Sequence, residues 1–60
     1  LSLSDAMKRL NKREKHIIDL RFFEGKTQME VAKEIHISQA QVSRLEKSAL
    51  KTMRNYLMTT

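Results

Sequence analysis

The residues with the most informative chemistry lie at the start of a long polar segment in the second half of the chain. In order along the segment they are Gln39, Ala40, Ser43 and Arg44. Glutamine and arginine side chains can form bidentate hydrogen bonds with the edges of adenine and guanine. A helix that begins here would present these four residues on its first two turns. They are therefore the candidate base contacts of a DNA-binding helix.

The same segment concentrates positive charge on one side. If it is helical, residues advance by roughly 100° each, which gives two opposite stripes. The apolar stripe contains Val42, Leu45, Ala49, Met53 and Tyr56, and the basic stripe contains Arg44, Lys47, Lys51 and Arg54. On composition alone, a basic stripe is more often a solvated face than a binding site. The polar residues at its start favour nucleic acid.

Phosphate contacts need cations or N–H donors and carry no sequence information. The start of a helix favours anions, and the pattern predicts one such start at Thr27 and Gln28. Gln41 is rotated to the side of the later helix, where it suits the DNA backbone better than a base. The candidate phosphate contacts are Thr27, Gln28, Gln41, Lys47 and Lys51.

These residues are positioned by two short amphipathic helices that the pattern predicts between residues 27 and 45. Thr27 and Glu30 form a capping box, in which each side chain satisfies a free backbone N–H of the first helix. Ser38 has the hydroxyl of an N-cap for the second helix. The small Ala32 lets two steeply crossing helices approach closely. This pattern is typical of a helix-turn-helix, whose second helix enters the major groove.

Two further helices precede this motif. Residues 1–10 have apolar residues at helical spacing, with Ser4 or Ser2 as the cap. Asn11 and Glu14 repeat the capping-box pattern and start a helix that ends at Gly25. The last helix is predicted from about residue 39 to residue 57, with residues 58–60 frayed. The sequence therefore predicts an all-α fold of about four helices in a single domain over residues 1–60.

One compact core is the most that such a short chain can bury. Ile17 and Leu20 should face it, together with one or both of Phe22 and Phe23. Two adjacent aromatic residues cannot both point inward on one helix, so one could be exposed to a partner. The four methionines are expected to fill gaps in the core.

Composition excludes several classes of protein. The 60 residues contain no Cys, no Pro and only one Gly, which argues against disulfides, thiolate metal sites and glycine-rich phosphate loops. His16 and His36 are far apart in sequence, so we expect no metal, no cofactor and no catalytic activity. The net charge of +5 favours an anionic partner. No apolar run is long enough for a membrane, and a basic helix lying on a membrane surface is disfavoured because its apolar stripe is needed for the core.

Most of the chain resembles region 4 of the bacterial sigma-70 family, and most closely the sporulation group of sigma-F and sigma-G type. The resemblance extends from Met7 to Arg54. It rests on three motifs at the family's spacing, namely L-x-x-R-E from Leu10, RFFEGKTQMEVA at the centre and ISQAQVSRLEK. Because the chain begins with Leu1, we expect it to be a piece of a longer sigma factor.

The resemblance implies recognition of the promoter −35 element by the last helix, in the bacterial cytoplasm and at the nucleoid. The family's base and phosphate positions match the candidates above, except that Lys51 rests on the basic stripe alone. The implied partners are promoter DNA, the flap of the RNA polymerase beta subunit, contacted from within Asp5–Phe23, and an anti-sigma factor. The alternative is a protein-interaction module whose main contact is the anti-sigma factor or the flap.

The chain departs from the family at His36, where Gly is usual. That turn often needs a positive φ, which costs a non-Gly residue roughly 1 kcal/mol. Either His36 adopts this conformation or the turn changes to a negative φ.

Overall fold

The computed structural model of the chain describes residues 3–58. This part of the chain has four α-helices and no strand: α1 is Leu3–Met7, α2 is Lys12–Ile18, α3 is Gln28–Ile35 and α4 is Gln39–Met58. A π-helical segment, Asp19–Phe23, continues α2. The predicted all-α fold is confirmed, and α3 and α4 are the two helices of the helix-turn-helix.

Local side-chain caps fix where three of the helices begin. The Asn11 side chain accepts the Glu14 N–H at 2.8 Å, and the Glu14 carboxylate accepts the Asn11 N–H at 3.2 Å. Thr27 and Glu30 form the same reciprocal pair, at 3.2 and 2.8 Å. Ser38 Oγ accepts the N–H of the residue three positions later at 3.1 Å. Both predicted capping boxes and the Ser38 cap are confirmed.

The two ends of the described chain differ from the predictions. The first helix ends at Met7, and tight turns then lead to a half-buried Leu10. Ser4 lies inside α1, so its prediction as a cap is wrong, and Ser2 lies outside the described residues. Met58 is helical rather than frayed, and the last two residues lie outside the described part.

The helix that starts after Asn11 widens before it ends. The Glu24 N–H donates to the Asp19 carbonyl, five residues back, at 3.0 Å, and Gly25 then adopts a left-handed conformation with φ 73°. A π-turn changes the angular spacing of its side chains. In the π-helical segment Asp19–Phe23, Leu20 is the only buried residue, while Phe22 and Phe23 are 54% and 61% exposed. The prediction that one or both phenylalanines face the core is therefore wrong.

Buried apolar side chains form two clusters rather than the single core expected. The first contains Ala6, Met7, Ile18, Ala49 and Met53. The second contains Ile17, Leu20, Val31, Ala32 and Val42. Helix α4 contributes to both, so it joins the helix-turn-helix to α1. Met29 and Met58 are exposed, because one lies in the first turn of α3 and the other at the end of α4, and only the remaining two methionines fill the core as predicted.

The turn between α3 and α4 has a left-handed residue at His36, the position where the resemblance implies Gly. His36 has φ 61° and ψ 45°. Its N–H and that of Ile37 both donate to the Ala32 carbonyl, the latter at 3.1 Å, which ends α3. Of the two alternatives, the turn keeps its positive φ and His36 carries the strain.

Candidate nucleic-acid interface

Helix α4 is divided lengthwise into a packed stripe and an exposed basic stripe. Val42, Ala49 and Met53 are buried, and the other two apolar positions of the predicted stripe are half-buried. The four basic positions, Arg44, Lys47, Lys51 and Arg54, are all exposed. The helical spacing in the sequence therefore predicted correctly which side of α4 faces solvent.

The four candidate base contacts lie on the first two turns of α4. Gln39, Ala40 and Arg44 are exposed, and Ser43 is half-buried. The turn at His36 and the Ser38 cap position this end of the helix. Because the packed stripe faces the rest of the domain, these side chains are free to meet the edges of bases in a groove.

The candidate phosphate contacts divide between two helix starts and the shaft of α4. Thr27 is exposed and Gln28 half-buried at the start of α3. The side chain of Gln41 is exposed, although its backbone N–H is occupied by the Ser38 cap. Lys47 and Lys51 border a surface groove of about 580 Å³ along α4, which is also lined by Leu50, Arg54, Asn55 and Met58.

Electrostatics differ between the two helix starts. Lys26, just before α3, is bonded to Glu34, and this hydrogen bond is the main reason that the pKa of Lys26 is raised. The Thr27 backbone N–H, and then its side chain, lower the pKa of Glu30. Acidic groups therefore offset the cation near α3. On α4 the single acidic residue, Glu46, is paired with Arg21, so the basic stripe is not offset.

Residues 6–55 match the family model for sigma-70, region 4. The chain belongs to the sigma-70 region 4 family. The match covers the end of α1, all of α2 and α3 and most of α4, so the whole candidate interface lies inside it. No solved structure matches this region 4 chain significantly.

Relatives of this region 4 chain include two RNA polymerase sigma-G factors. That of Clostridium acetobutylicum is 65% identical over 57 residues, 95% of the chain and 22% of the relative. That of Bacillus subtilis is 70% identical over 53 residues, 88% of the chain and 20% of the relative. The sigma-F factor of Bacillus licheniformis is 51% identical over 57 residues, 95% of the chain and 22% of the relative. The chain thus spans about a fifth of the length of these proteins.

Two polar contacts between helices of the region 4 domain were not predicted from the sequence. Arg21 Nε donates to Glu46 Oε1 at 2.6 Å, and Ser48 Oγ donates to Glu14 Oε2 at 2.9 Å. The partners are 25 and 34 residues apart, so no local pattern links them. The one available signal was Glu46 itself, an acidic residue in an otherwise basic helix.

Residues 3–58 contain no group of three or more His, Cys, Asp or Glu side chains that could hold a metal ion. His16 is exposed. Among the same residues, no helix is both long enough and apolar enough to cross a membrane.

Proposed function

We propose that this chain is a single DNA-binding domain that recognises the promoter −35 element as part of a sigma factor and so recruits RNA polymerase. The observation that carries the proposal is the exposure of Gln39 and Arg44 at the start of the second helix of a helix-turn-helix. Membership of the region 4 family supports it independently. The chain has no catalytic role in this proposal, and it acts in the bacterial cytoplasm, at the nucleoid.

The proposed mechanism separates base recognition from phosphate binding. Gln39, Ala40, Ser43 and Arg44 contact base edges in the major groove, where Arg can bind guanine bidentately. Thr27 and Gln28 at the start of α3, with Gln41, Lys47 and Lys51 on α4, contact phosphates and set the register. Identities of 65% and 70% to sigma-G factors, against 51% to a sigma-F factor, favour a sigma-G type within the sporulation group.

A fluorescence titration tests the proposal with a duplex that carries the −35 region of a sporulation promoter and with a scrambled duplex. Arg44→Ala should weaken binding to the true element by roughly 1–3 kcal/mol and relax specificity. Lys51→Ala is the control, because loss of a phosphate contact weakens both duplexes equally and lowers the salt slope by about 1. Equal affinity of the unmodified chain for both duplexes, or nanomolar binding insensitive to salt, would contradict the proposal.

A second candidate function is docking on RNA polymerase or on an anti-sigma factor. An exposed apolar groove of about 240 Å³ favours it, lined by Leu3, Ile18, Phe22, Phe23, Leu50 and Met53. An exposed apolar patch of this kind is typical of a protein contact. In this proposal the groove binds the flap of the beta subunit, and an anti-sigma factor competes for it. The surface expected within Asp5–Phe23 would thus include part of α4.

The two functions separate by mutation, because they use different side chains. Phe23→Ser should abolish binding to the isolated beta flap and leave DNA binding unchanged. Arg44→Ala should weaken binding to the true element and leave binding to the flap unchanged. Both can be measured by titration of the same labelled chain. Equal losses of both activities in either variant would contradict the assignment of the two surfaces.

A further inference from the structure

Arg21 connects the two helices that the proposed function assigns to DNA, α3 and α4. Its Nε donates to Glu46 Oε1 at 2.6 Å, and its Nη1 donates to the Lys26 carbonyl at 2.8 Å. Lys26 immediately precedes Thr27, the N-cap of α3, and Glu46 lies two residues after Arg44. One planar guanidinium group therefore bridges the link that enters α3 and the third turn of α4.

The surroundings of this contact distinguish it from an ordinary surface ion pair. The side chains of Arg21 and Glu46 are only 26% and 13% exposed, so water screens their attraction weakly. The guanidinium also lies over the Phe22 ring, 5.6 Å from its centroid. An arginine held by two directed hydrogen bonds and an aromatic ring has little freedom to move. It can thus transmit a fixed geometry between the elements it contacts.

The contact has an electrostatic effect as well. Glu46 is the single acidic residue of α4 and lies between two basic residues, Arg44 and Lys47. An unpaired carboxylate at this position would repel a phosphate backbone. Its pairing with Arg21 keeps the positive field of α4 continuous.

We propose that Arg21 is a positioning residue for DNA recognition, because it fixes the orientation of α4 relative to the start of α3. The consequence for specificity rests on the proposed function, whereas the geometric role does not. The base contacts lie on α4, whereas the phosphate contacts Thr27 and Gln28 lie at the start of α3, so a change in the relative orientation of the two helices would uncouple them. Specific binding should then suffer more than non-specific binding.

The first measurement is independent of DNA. Amide residual dipolar couplings report the angle between α3 and α4 in the unmodified chain and in Arg21→Gln, whose helicity is checked by circular dichroism. We expect the angle to change in Arg21→Gln and in Glu46→Gln, the second variant serving if the first does not fold. Ser48→Ala is the control for lost stability, since its hydroxyl anchors α4 to α2 rather than to α3. An unchanged angle in both test variants would overturn the proposal.

The second measurement compares affinity for the −35 duplex and the scrambled duplex. Arg21→Gln should lose on the order of tenfold for the true element, about one base contact, and under about twofold for the scrambled duplex. Lys15→Gln is the control, because it removes the same charge from an exposed position. It should leave the affinity for the true element, relative to the affinity for the scrambled duplex, unchanged.

The double variant Arg21→Gln/Glu46→Gln leaves no unpaired carboxylate. If it regained specificity for the true element, Arg21 would act only by neutralising the charge of Glu46, and the proposal that it positions α4 would be overturned. If the unmodified chain itself shows no preference for the true element, the proposed function fails, and the angle measurement still decides the role of Arg21.

Discussion

Ser48 Oγ donates a hydrogen bond to Glu14 Oε2 at 2.9 Å, while the other oxygen of the same carboxylate accepts the Asn11 N–H. Glu14 is 8% exposed and is the one buried charged residue in the described part of the chain. Its carboxylate thus completes the capping box of α2 and anchors α4 at once. On α4, Ser48 and Glu46 lie on opposite edges of the buried stripe. One edge is therefore held to α2 by the contact of Ser48 with Glu14, and the other is held to the π-helical segment by the contact of Glu46 with Arg21.

Removal of the Ser48 hydroxyl should destabilise the domain. Ser48→Ala leaves a buried carboxylate oxygen without this donor, which costs about 1–3 kcal/mol of the free energy of unfolding. Urea denaturation measures the loss, and a double-mutant cycle with Glu14→Ala isolates the coupling between the two side chains. Ser4→Ala, at an exposed position of α1, is the control and should stay within about 0.5 kcal/mol. A coupling near zero would contradict the anchoring role of Glu14.

The strained turn at His36 should be improvable. His36→Gly removes the steric penalty of φ 61° and should raise the free energy of unfolding by about 0.5–1 kcal/mol, after the greater entropy of glycine in the unfolded chain is offset. Gly25→Ala is the converse test at φ 73°. No atom lies within 4 Å of the added Cβ, so only backbone strain opposes it. That variant should lose about 1 kcal/mol. A loss of stability in His36→Gly, or a gain in Gly25→Ala, would contradict this account.

The capping box at α3 should make the helix start sensitive to acid. The Thr27 backbone N–H and side chain bond the ionised Glu30 and lower its pKa below the ordinary 4.5. A carboxyl whose folded pKa is lowered stabilises the fold above its unfolded pKa, and this stabilisation is lost as the pH falls through the folded value. Stability should therefore decline below about pH 4.5 by this route.

An NMR titration of the Glu30 side chain measures this effect directly. In Thr27→Ala the pKa of Glu30 should move up towards its ordinary value, because the side-chain bond is lost and the backbone bond weakens. The same variant should lose about 1 kcal/mol through the missing N-cap. Thr27→Ser, which keeps the hydroxyl, is the matched control and should leave the pKa of Glu30 lowered. An unchanged Glu30 pKa in Thr27→Ala would contradict the cause assigned here.

The exposed phenylalanines should contribute little to folding. Phe23→Ala should change the free energy of unfolding by less than about 1 kcal/mol, because the ring is 61% exposed. Ile17→Ala, at a fully buried position, should cost about 2–5 kcal/mol and is the matched comparison. Thermal melts of the two variants give the contrast. A large loss in Phe23→Ala would mean that the ring belongs to the core after all.

The distance between partners explains which features the sequence could predict. The capping boxes at Asn11 and Thr27 and the exposed stripe of α4 depend on residues within one or two helical turns, so propensity and spacing were sufficient. The polar anchors of Glu46 and Ser48 depend on how helices pack. That packing is set by the whole chain.

The wrong prediction for Phe22 and Phe23 also arises from a feature that local spacing does not reveal. A helix of constant pitch through residue 23 would turn one ring inward, but the π-turn after Ile18 alters the spacing. No residue type in the segment Asp19–Phe23 predicts a π-turn. The helix starts and the exposed stripe of the candidate interface were therefore predictable, whereas the apolar groove and the Arg21 bridge were not.

The division of the interior into two clusters affects how the molecule opens. Helix α1 contributes only Ala6 and Met7 to the first cluster, and every buried side chain of the second comes from the later helices. Detachment of α1 would thus disrupt the first cluster alone and leave the helix-turn-helix cluster whole. We therefore expect hydrogen exchange at different rates in two units: α1 forms an outer unit with little protection, and the helix-turn-helix cluster forms a more protected inner unit. The inner unit contains the first turns of α4, where the candidate base contacts lie, so this end of the domain would persist through the most frequent openings of the native state.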